Sequence, residues 1–199
     1  MANQKTKRLF IAINLPKEIK QELLVLEEEI KNSFPEEISE HVAKWVEPEN
    51  LHITLLFIGE VGEDKVEKIS QIIQDSVGCW QKFEVKMNQI CYGPPKAMPP
   101  RLIWLEIVKN MDLECLAQMI SQKALEGDIL RQADSRPFSP HITLARIKEW
   151  MWKRIEPEER PQVEQEIDLS FRADSVDLME SVLKRTGSEY TIVQSFPLS

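Results

Sequence analysis

The sequence has 199 residues, of which 42% are hydrophobic and 29% are charged. This composition supplies a hydrophobic core and excludes disordered and collagen-like proteins. The net charge of −8 argues against a protein that coats long nucleic acids through their phosphates, although it leaves room for a site that recognises one end of a strand. The apolar runs are too short to span a membrane. The three cysteines, Cys79, Cys91 and Cys115, form no C-x-x-C pair, which indicates reduced thiols in a cytoplasmic protein.

The first part of the chain predicts alternating strands and helices. "KRLFIAINLP" reads as a first strand closed by Pro16 rather than as a signal peptide. "KEIKQELLVLEEEIKNSF" predicts an amphipathic helix, and "LHITLLFIGEV" predicts a buried strand. A second helix, "EDKVEKISQIIQDSV", should end at Gly78, and "FEVKMNQICY" alternates like a strand before the breaker "GPPKAMPP".

A similar series follows in the second part. "RLIWLEIV" predicts a strand, "MDLECLAQMISQKALEG" a helix and "HITLARI" another strand. The charged segment around "EPEERP" predicts an exposed turn or short helix. "IDLSFRADSVDLMESVL" and "SEYTIVQSFPL" predict two closing strands joined by a turn at "RTGS". The repeated order predicts an α+β fold, in one domain built by internal duplication.

The tetrapeptide "HITL" occurs twice, at residues 52–55 and 141–144. Side chains alternate faces along a strand, so His52 should share a face with Thr54, and His141 with Thr143. The opposite face should carry the flanking apolar residues, which are Leu51, Ile53, Leu55, Phe57, Ile142 and Leu144. A pseudo-twofold relation between the two parts would let both His/Thr faces converge on one cleft.

Two imidazoles facing one substrate can serve as general acid and general base, and two hydroxyls can donate hydrogen bonds to a phosphate. The set suits metal-free cleavage of a phosphodiester. A lone histidine in a β-strand is more often a structural residue than a catalytic one. His41 lacks the motif and is expected to be structural or exposed. Zinc would require three or four clustered ligands, and no such spacing occurs in the sequence.

Twin H-x-T-x motifs resemble the signature of the 2H phosphoesterase superfamily. The strings "RLFIAINLP", "WVEPENLHITLLFIGEV", "PRLIWLEI", "FSPHITLARI" and "ESVL" followed by "YTIV" resemble its RNA 2′,3′-cyclic phosphodiesterase branch, historically called 2′–5′ RNA ligases. The resemblance covers about residues 8–196. It implies a bilobal α+β fold with two pseudo-symmetric lobes, whose antiparallel sheets face a central cleft and whose helices lie outside, and it implies no metal cofactor.

The same resemblance implies roles for individual residues. His52 matches the proton donor and His141 the proton acceptor, while Thr54 and Thr143 match the hydroxyls that hold the phosphate. Arg146 matches an arginine suited to the bound phosphate. Strict alternation would place Arg146 on the face opposite His141, so a bulge or a long reach is required.

Three further residues match positions typical of the branch. Phe138 matches an aromatic residue near the nucleobase, although core packing explains it equally well. Trp45 and Arg101 are possible substrate contacts on the same grounds.

The implied reaction opens a terminal 2′,3′-cyclic phosphate on RNA to a 2′-phosphomonoester, and its reverse would give 2′–5′ ligation. The expected partners are RNA ends with this cyclic phosphate, tRNA fragments among them. The protein is expected to be a monomer in the cytoplasm that does not bind a membrane. A second enzyme hypothesis is a phosphodiesterase for a small nucleotide such as ADP-ribose cyclic phosphate. A third hypothesis is an RNA-end-binding module without turnover.

Overall fold

The computed structural model describes residues 5–39, 41–132, 137–185 and 187–199. The strands are β1 (Thr6–Asn14), β2 (Ala43–Trp45), β3 (His52–Gly62), β4 (Phe83–Gly93), β5 (Leu102–Ile107), β6 (His141–Ile147), β7 (Gln165–Ala173), β8 (Ser175–Lys184) and β9 (Gly187–Pro197). The α-helices are α1 (Lys17–Ser33), α2 (Val66–Val77), α3 (Met111–Glu126) and α4 (Glu149–Trp152). Short 3₁₀ turns lie at Pro48–Asn50, Glu63–Lys65 and Pro157–Glu159.

The strands of the described ranges form an antiparallel sheet in the order β7–β4–β5–β6–β3–β1–β8–β9, with β2 paired to β6. β3 and β6 are joined by one residue pair, Ile53 with Ile142. The sheet therefore has two lobes: the β6 lobe (β2, β4, β5, β6 and β7) and the β3 lobe (β1, β3, β8 and β9). The predicted bilobal α+β architecture with antiparallel sheets is confirmed.

The lobes do not follow the order of the chain. β4 lies in the β6 lobe between β5 and β7, and β8 and β9 return to the β3 lobe beside β1. The segment "IDLSFRADSVDLMESVL", predicted as one strand, is two strands in different lobes, so that prediction is wrong. The break falls at Asp174, whose carboxylate pairs with Lys82 and whose carbonyl accepts from the amide of Leu198. The chain crosses between the lobes at this point.

The remaining long elements confirm the sequence reading. α2 ends at Gly78, whose amide donates to the Gln74 carbonyl, and the "EPEERP" segment contains the 3₁₀ turn at Pro157–Glu159. β2 and α4 were not predicted, because elements this short show no periodicity. Thr186, in the predicted "RTGS" turn, lies outside the described residues.

One hydrophobic core joins the helices to one face of the sheet. It includes Ile53 and Ile142 from the two motifs and the buried residues of α1, α2 and α3. The helices therefore cover the core face, and the opposite face of the sheet stays open. No helix in the described part of the chain is long and apolar enough to cross a membrane. The three cysteine thiols are unpaired, and His41 is exposed in a turn.

Candidate active site

The ring of His52 is held by the backbone that precedes it. The 3₁₀ turn at Pro48–Asn50 leads directly into β3 and places the Asn50 carbonyl 2.6 Å from His52 Nδ1. A carbonyl oxygen only accepts hydrogen bonds, so Nδ1 carries a proton and Nε2 is left for chemistry. Nε2 lies 3.0 Å from the hydroxyl oxygen of Thr54.

The ring of His141 is held in the same way. Its Nδ1 lies 2.8 Å from the Ser139 carbonyl, so Nδ1 again donates and Nε2 is left open. The indole of Trp104 packs at 4.3 Å from the His141 ring, between ring centres. That indole in turn occupies the space where a side chain at Gly93 would begin. Each motif thus fixes its imidazole through the carbonyl two residues upstream.

The two motifs meet where the lobes join. Ile53 and Ile142, each the second residue of its tetrapeptide, are the antiparallel pair between β3 and β6. Both are fully buried in the core, so the histidines and threonines on either side of them lie on the opposite, open face. The antiparallel arrangement relates the motifs by a local pseudo-twofold, so the four polar side chains flank this pair on one face of the sheet.

Arg146 reaches this face because β6 contains a bulge. The register against β5 changes between Ile103 and Trp104, so that Ile103 pairs with Ala145 and Trp104 with Thr143. Leu144 is the extra residue, and both it and Ala145 are buried. The alternation is thereby shifted, and Arg146 is exposed. Its positive charge lowers the pKa of both His52 and His141, in addition to the larger effect of burial.

A similar irregularity overturns the prediction for Phe57. This residue was expected on the core face with Leu55, but its side chain is 68% exposed. The register between β1 and β3 shifts between Ile11 and Ala12, so that Leu55 is an extra residue and Phe57 pairs with Phe10. The ring centre of Phe57 lies 6.0 Å from that of Phe10 on the open face. The expected burial of Leu51, Ile53, Leu55, Ile142 and Leu144 is confirmed.

Burial and positive neighbours keep both histidines neutral at pH 7. Burial lowers the pKa of His52 from 6.5 to about 4, and the charges of Lys20, His141 and Arg146 act in the same direction. The pKa of His141 is also lowered, first by burial and then by Arg146. A site that disfavours added positive charge on two imidazoles is suited to an anionic ligand, because the anion reverses the sign of the local potential.

Three residues that act on His52 through charge or ring contact were not predicted. The ammonium of Lys20 donates to the Glu49 carbonyl at 3.2 Å, and its charge acts on His52. The Tyr190 ring lies edge-on to His52 at 5.4 Å between ring centres. Phe10 packs against His52 at 4.9 Å. These contacts come from α1, β9 and β1, so no local sequence pattern could have indicated them.

The other predicted substrate contacts are Phe138, Trp45 and Arg101. Phe138 is partly exposed just before β6. Trp45 lies beneath the ammonium of Lys31, 5.1 Å from the ring centre, and its indole nitrogen is buried without a hydrogen-bond partner. Arg101 is exposed immediately before β5. Substrate roles for these three residues stay predictions. Among the described residues, no group of three or more His, Cys, Asp or Glu side chains is placed to hold a metal ion.

Comparison with known sequences identifies related proteins over nearly the whole chain. A family model described as LigT like Phosphoesterase matches residues 13–104. The RNA 2′,3′-cyclic phosphodiesterase of Archaeoglobus fulgidus is 30% identical over 192 residues, which cover 95% of this chain and 99% of that protein. The protein of the same name from Methanothermobacter thermautotrophicus is 26% identical, over 96% of this chain and 98% of its own.

Solved structures of similar fold also match nearly the whole chain. The protein TT0787 of Thermus thermophilus superimposes with a TM-score of 0.78 at 26% identity, over 96% of this chain and 97% of that one. E. coli LigT complexed with 3′-AMP superimposes with a TM-score of 0.75 at 25% identity, over 98% of this chain and 99% of that one.

Proposed function

Because the chain belongs to the RNA 2′,3′-cyclic phosphodiesterase family of LigT-like 2H phosphoesterases, we propose that it hydrolyses RNA ends that carry a 2′,3′-cyclic phosphate and leaves a 2′-phosphomonoester. The observation that carries this proposal is the paired geometry of the histidines. Both present Nε2 on the open face of the sheet, both anchor Nδ1 on a carbonyl, and the two motifs meet at one residue pair.

In the proposed reaction His141 is the base and His52 is the acid. Neutral His141 takes a proton from water at Nε2, and the water oxygen forms a new bond to phosphorus. The bond between phosphorus and the 3′ oxygen breaks, and protonated His52 gives its Nε2 proton to that oxygen. The lowered pKa of His141 keeps it in the neutral form that this role requires.

His52 must gain a proton before it can act as the acid. Its pKa of about 4 belongs to the unliganded protein, where burial lowers it most and the positive charges of Lys20 and Arg146 lower it further without a counter-charge. A phosphodiester anion bound between these cations would neutralise their effect and raise the pKa of His52. Substrate binding would therefore be accompanied by proton uptake at His52.

Thr54, Thr143 and Arg146 would hold the non-bridging oxygens of the phosphate. The Thr54 hydroxyl lies 3.0 Å from His52 Nε2 and donates to it while the ring is neutral. Once His52 is protonated, Nε2 no longer accepts, and the hydroxyl is released to donate to a phosphate oxygen. Donors placed where charge builds up stabilise the transition state. Arg146 adds charge-assisted hydrogen bonds.

The test uses a dinucleotide that ends in a 2′,3′-cyclic phosphate, incubated with EDTA. We expect turnover to a 2′-phosphomonoester, detected by phosphate release after phosphatase treatment. Loss of activity with the chelator and recovery with zinc or manganese would refute the metal-independent mechanism. Binding without turnover would assign the chain to the class of RNA-end-binding modules.

The same geometry supports two extensions. A 5′-hydroxyl RNA in place of water would give 2′–5′ ligation through the reverse reaction. A small nucleotide such as ADP-ribose cyclic phosphate is the second candidate substrate, favoured by the net charge of −8, which disfavours long RNA. A direct comparison of kcat/KM for the dinucleotide and for ADP-ribose cyclic phosphate separates these substrates.

We also propose that the protein acts as a monomer in the cytoplasm. The unpaired thiols of its cysteines are consistent with a reducing compartment. Light scattering at micromolar concentration tests the monomer, and a mass near 23.2 kDa is expected.

A further inference from the structure

The 3₁₀ turn at Pro48–Asn50 has to hold the carbonyl that orients His52. Two backbone hydrogen bonds, at 2.8 and 3.2 Å, close the turn. A 3₁₀ turn of this length has poor hydrogen-bond geometry, and its last carbonyl, that of Asn50, accepts the proton of His52 Nδ1. Contacts from other elements therefore decide how firmly the imidazole is oriented.

The side chain of Asn50 is bound by the tip of the hairpin that joins β8 to β9. Its amide nitrogen lies 3.3 Å from the carbonyl oxygen of Ser188. A carbonyl only accepts hydrogen bonds, so the nitrogen is the donor, and this fixes which way the Asn50 amide is turned. The two residues are 138 positions apart, so the contact exists only in the folded protein. It connects the turn that orients His52 to β9.

The tip of this hairpin is itself held in place. Gly187 and Ser188 begin β9 and pair with Lys184 and Leu183 of β8. A side chain at Gly187 would overlap the ammonium of Lys44, which lies on β2 in the β6 lobe. The φ angle of Gly187 is +146°, a conformation that glycine adopts more readily than other residues. The tip therefore packs closely across to the other lobe and gives Asn50 a fixed partner.

Two further contacts support His52 and its turn. The ring of Tyr190, two residues beyond Ser188 on β9, lies edge-on to the His52 ring at 5.4 Å between ring centres. From the other side, the Lys20 ammonium donates to the carbonyl of Glu49 at 3.2 Å. β9 thus contacts the imidazole directly through Tyr190 and contacts its Nδ1 acceptor through the Asn50 amide, while α1 supports the turn from the opposite side.

The orientation of His52 matters for one chemical step, and this argument rests on the proposed function. His52 delivers its Nε2 proton to the departing 3′ oxygen. Displacement of a reacting group by about 1 Å can lower a rate by about a hundredfold. A loosened turn would displace the Asn50 carbonyl and the His52 ring with it. His141 is oriented by a different carbonyl, that of Ser139, so the base would keep its geometry.

We propose that Asn50 is a positioning residue for the acid: its amide, bound to the Ser188 carbonyl at the hairpin tip, fixes the carbonyl that directs His52 at the leaving oxygen. Asn50 acts through His52 and not on the substrate. Loss of its amide should therefore slow protonation of the leaving oxygen and leave both substrate binding and the attack by water unaffected.

The experiment compares a dinucleotide 2′,3′-cyclic phosphate with the same compound in which sulfur replaces the 3′ leaving oxygen, because the sulfur departs with little protonation. Asn50→Ala should lower kcat for the oxygen substrate by about ten- to a hundredfold and leave KM unchanged. On the sulfur substrate its rate should be close to that of the unmodified protein. Asn50→Leu fills a similar volume without a donor and should give the same pattern. Circular dichroism verifies that each variant is folded.

Asn110→Ala is the matched control. The Asn110 amide donates to the Glu84 carbonyl at 2.7 Å, and its side-chain oxygen caps α3. This variant also loses an amide-to-carbonyl contact and should be less stable, but it should leave kcat unchanged on both substrates.

Equal losses on the two substrates in the Asn50 variants, or no loss on the oxygen substrate, would overturn the positioning role while the proposed reaction stands. Failure of the unmodified protein to hydrolyse the oxygen substrate would instead refute the proposed reaction, and the role of Asn50 with it.

Discussion

Glu27 provides a prediction about stability, because its carboxyl group is 1% exposed in the hydrophobic face of α1. One carboxyl oxygen has no hydrogen-bond partner. Burial raises the pKa of Glu27 from 4.5 to about 8; the charge of Lys31 opposes this rise and that of Glu47 adds to it. The folded protein therefore keeps a proton on Glu27 at neutral pH, whereas the unfolded chain releases it.

The sign of the effect follows from proton linkage. A raised pKa in the folded state stabilises the fold below pH 4.5, and this stabilisation is lost as the pH rises towards 8. The loss is about 1.4 kcal/mol per pH unit, or about 3 kcal/mol between pH 4.5 and pH 7. Glu27→Gln cannot titrate, so it should lack this component of the pH dependence.

The assay is urea unfolding followed by circular dichroism at several pH values between 4.5 and 8. The difference in the free energy of unfolding between Glu27→Gln and the unmodified protein should shift in favour of the variant as the pH rises. Glu28→Gln is the control, since Glu28 is on the same helix with its side chain 64% exposed. Parallel pH profiles for Glu27→Gln and the unmodified protein would refute the buried, protonated carboxyl.

Two predictions concern the groups that hold the phosphate. Thr54→Ala or Thr143→Ala should each raise the activation free energy by about 2–4 kcal/mol, measured as a loss of kcat/KM. The Thr→Ser variants keep the hydroxyl and should lose much less activity. Equal losses in the Ser and Ala variants would assign the threonines to packing. Lys20→Met should raise the pKa of His52, because the Lys20 charge adds to the lowering by burial. It should therefore move the alkaline limb of the bell-shaped pH profile of kcat, along which His52 loses its proton, to higher pH. An unmoved limb would show that Lys20 does not act on His52.

Local sequence pattern predicted the two His/Thr pairs because each lies on one strand. Strand alternation places His52 with Thr54 and His141 with Thr143, and the buried residues between them confirm that alternation. The pattern fails where a strand bulges. Phe57 was assigned to the wrong face, and Arg146 lies on the open face because of a bulge whose position the sequence does not reveal.

Contacts between elements that are far apart in the sequence could not be predicted from local sequence patterns. Lys20 and Tyr190 lie on α1 and β9, and their proximity to His52 depends on the packing of α1 and on the return of β9 to the β3 lobe. The crossing between lobes at Asp174 was missed for the same reason, since the residues on either side of it continue a strand pattern. The burial of Glu27 was not predicted either. A charged side chain usually indicates a solvent-facing position, but Glu27 lies on the buried face of α1.

The central claim is that His52 is the acid and His141 the base. His52→Ala and His141→Ala should each lower the rate of hydrolysis by about two to four orders of magnitude. The most direct measurement uses a 2′,3′-cyclic substrate in which sulfur replaces the 3′ leaving oxygen, because a thiolate departs with little protonation. This substrate should largely restore the rate of His52→Ala and leave His141→Ala inactive. Restoration of His141→Ala alone would reverse the two roles, and restoration of neither variant would contradict the acid–base mechanism.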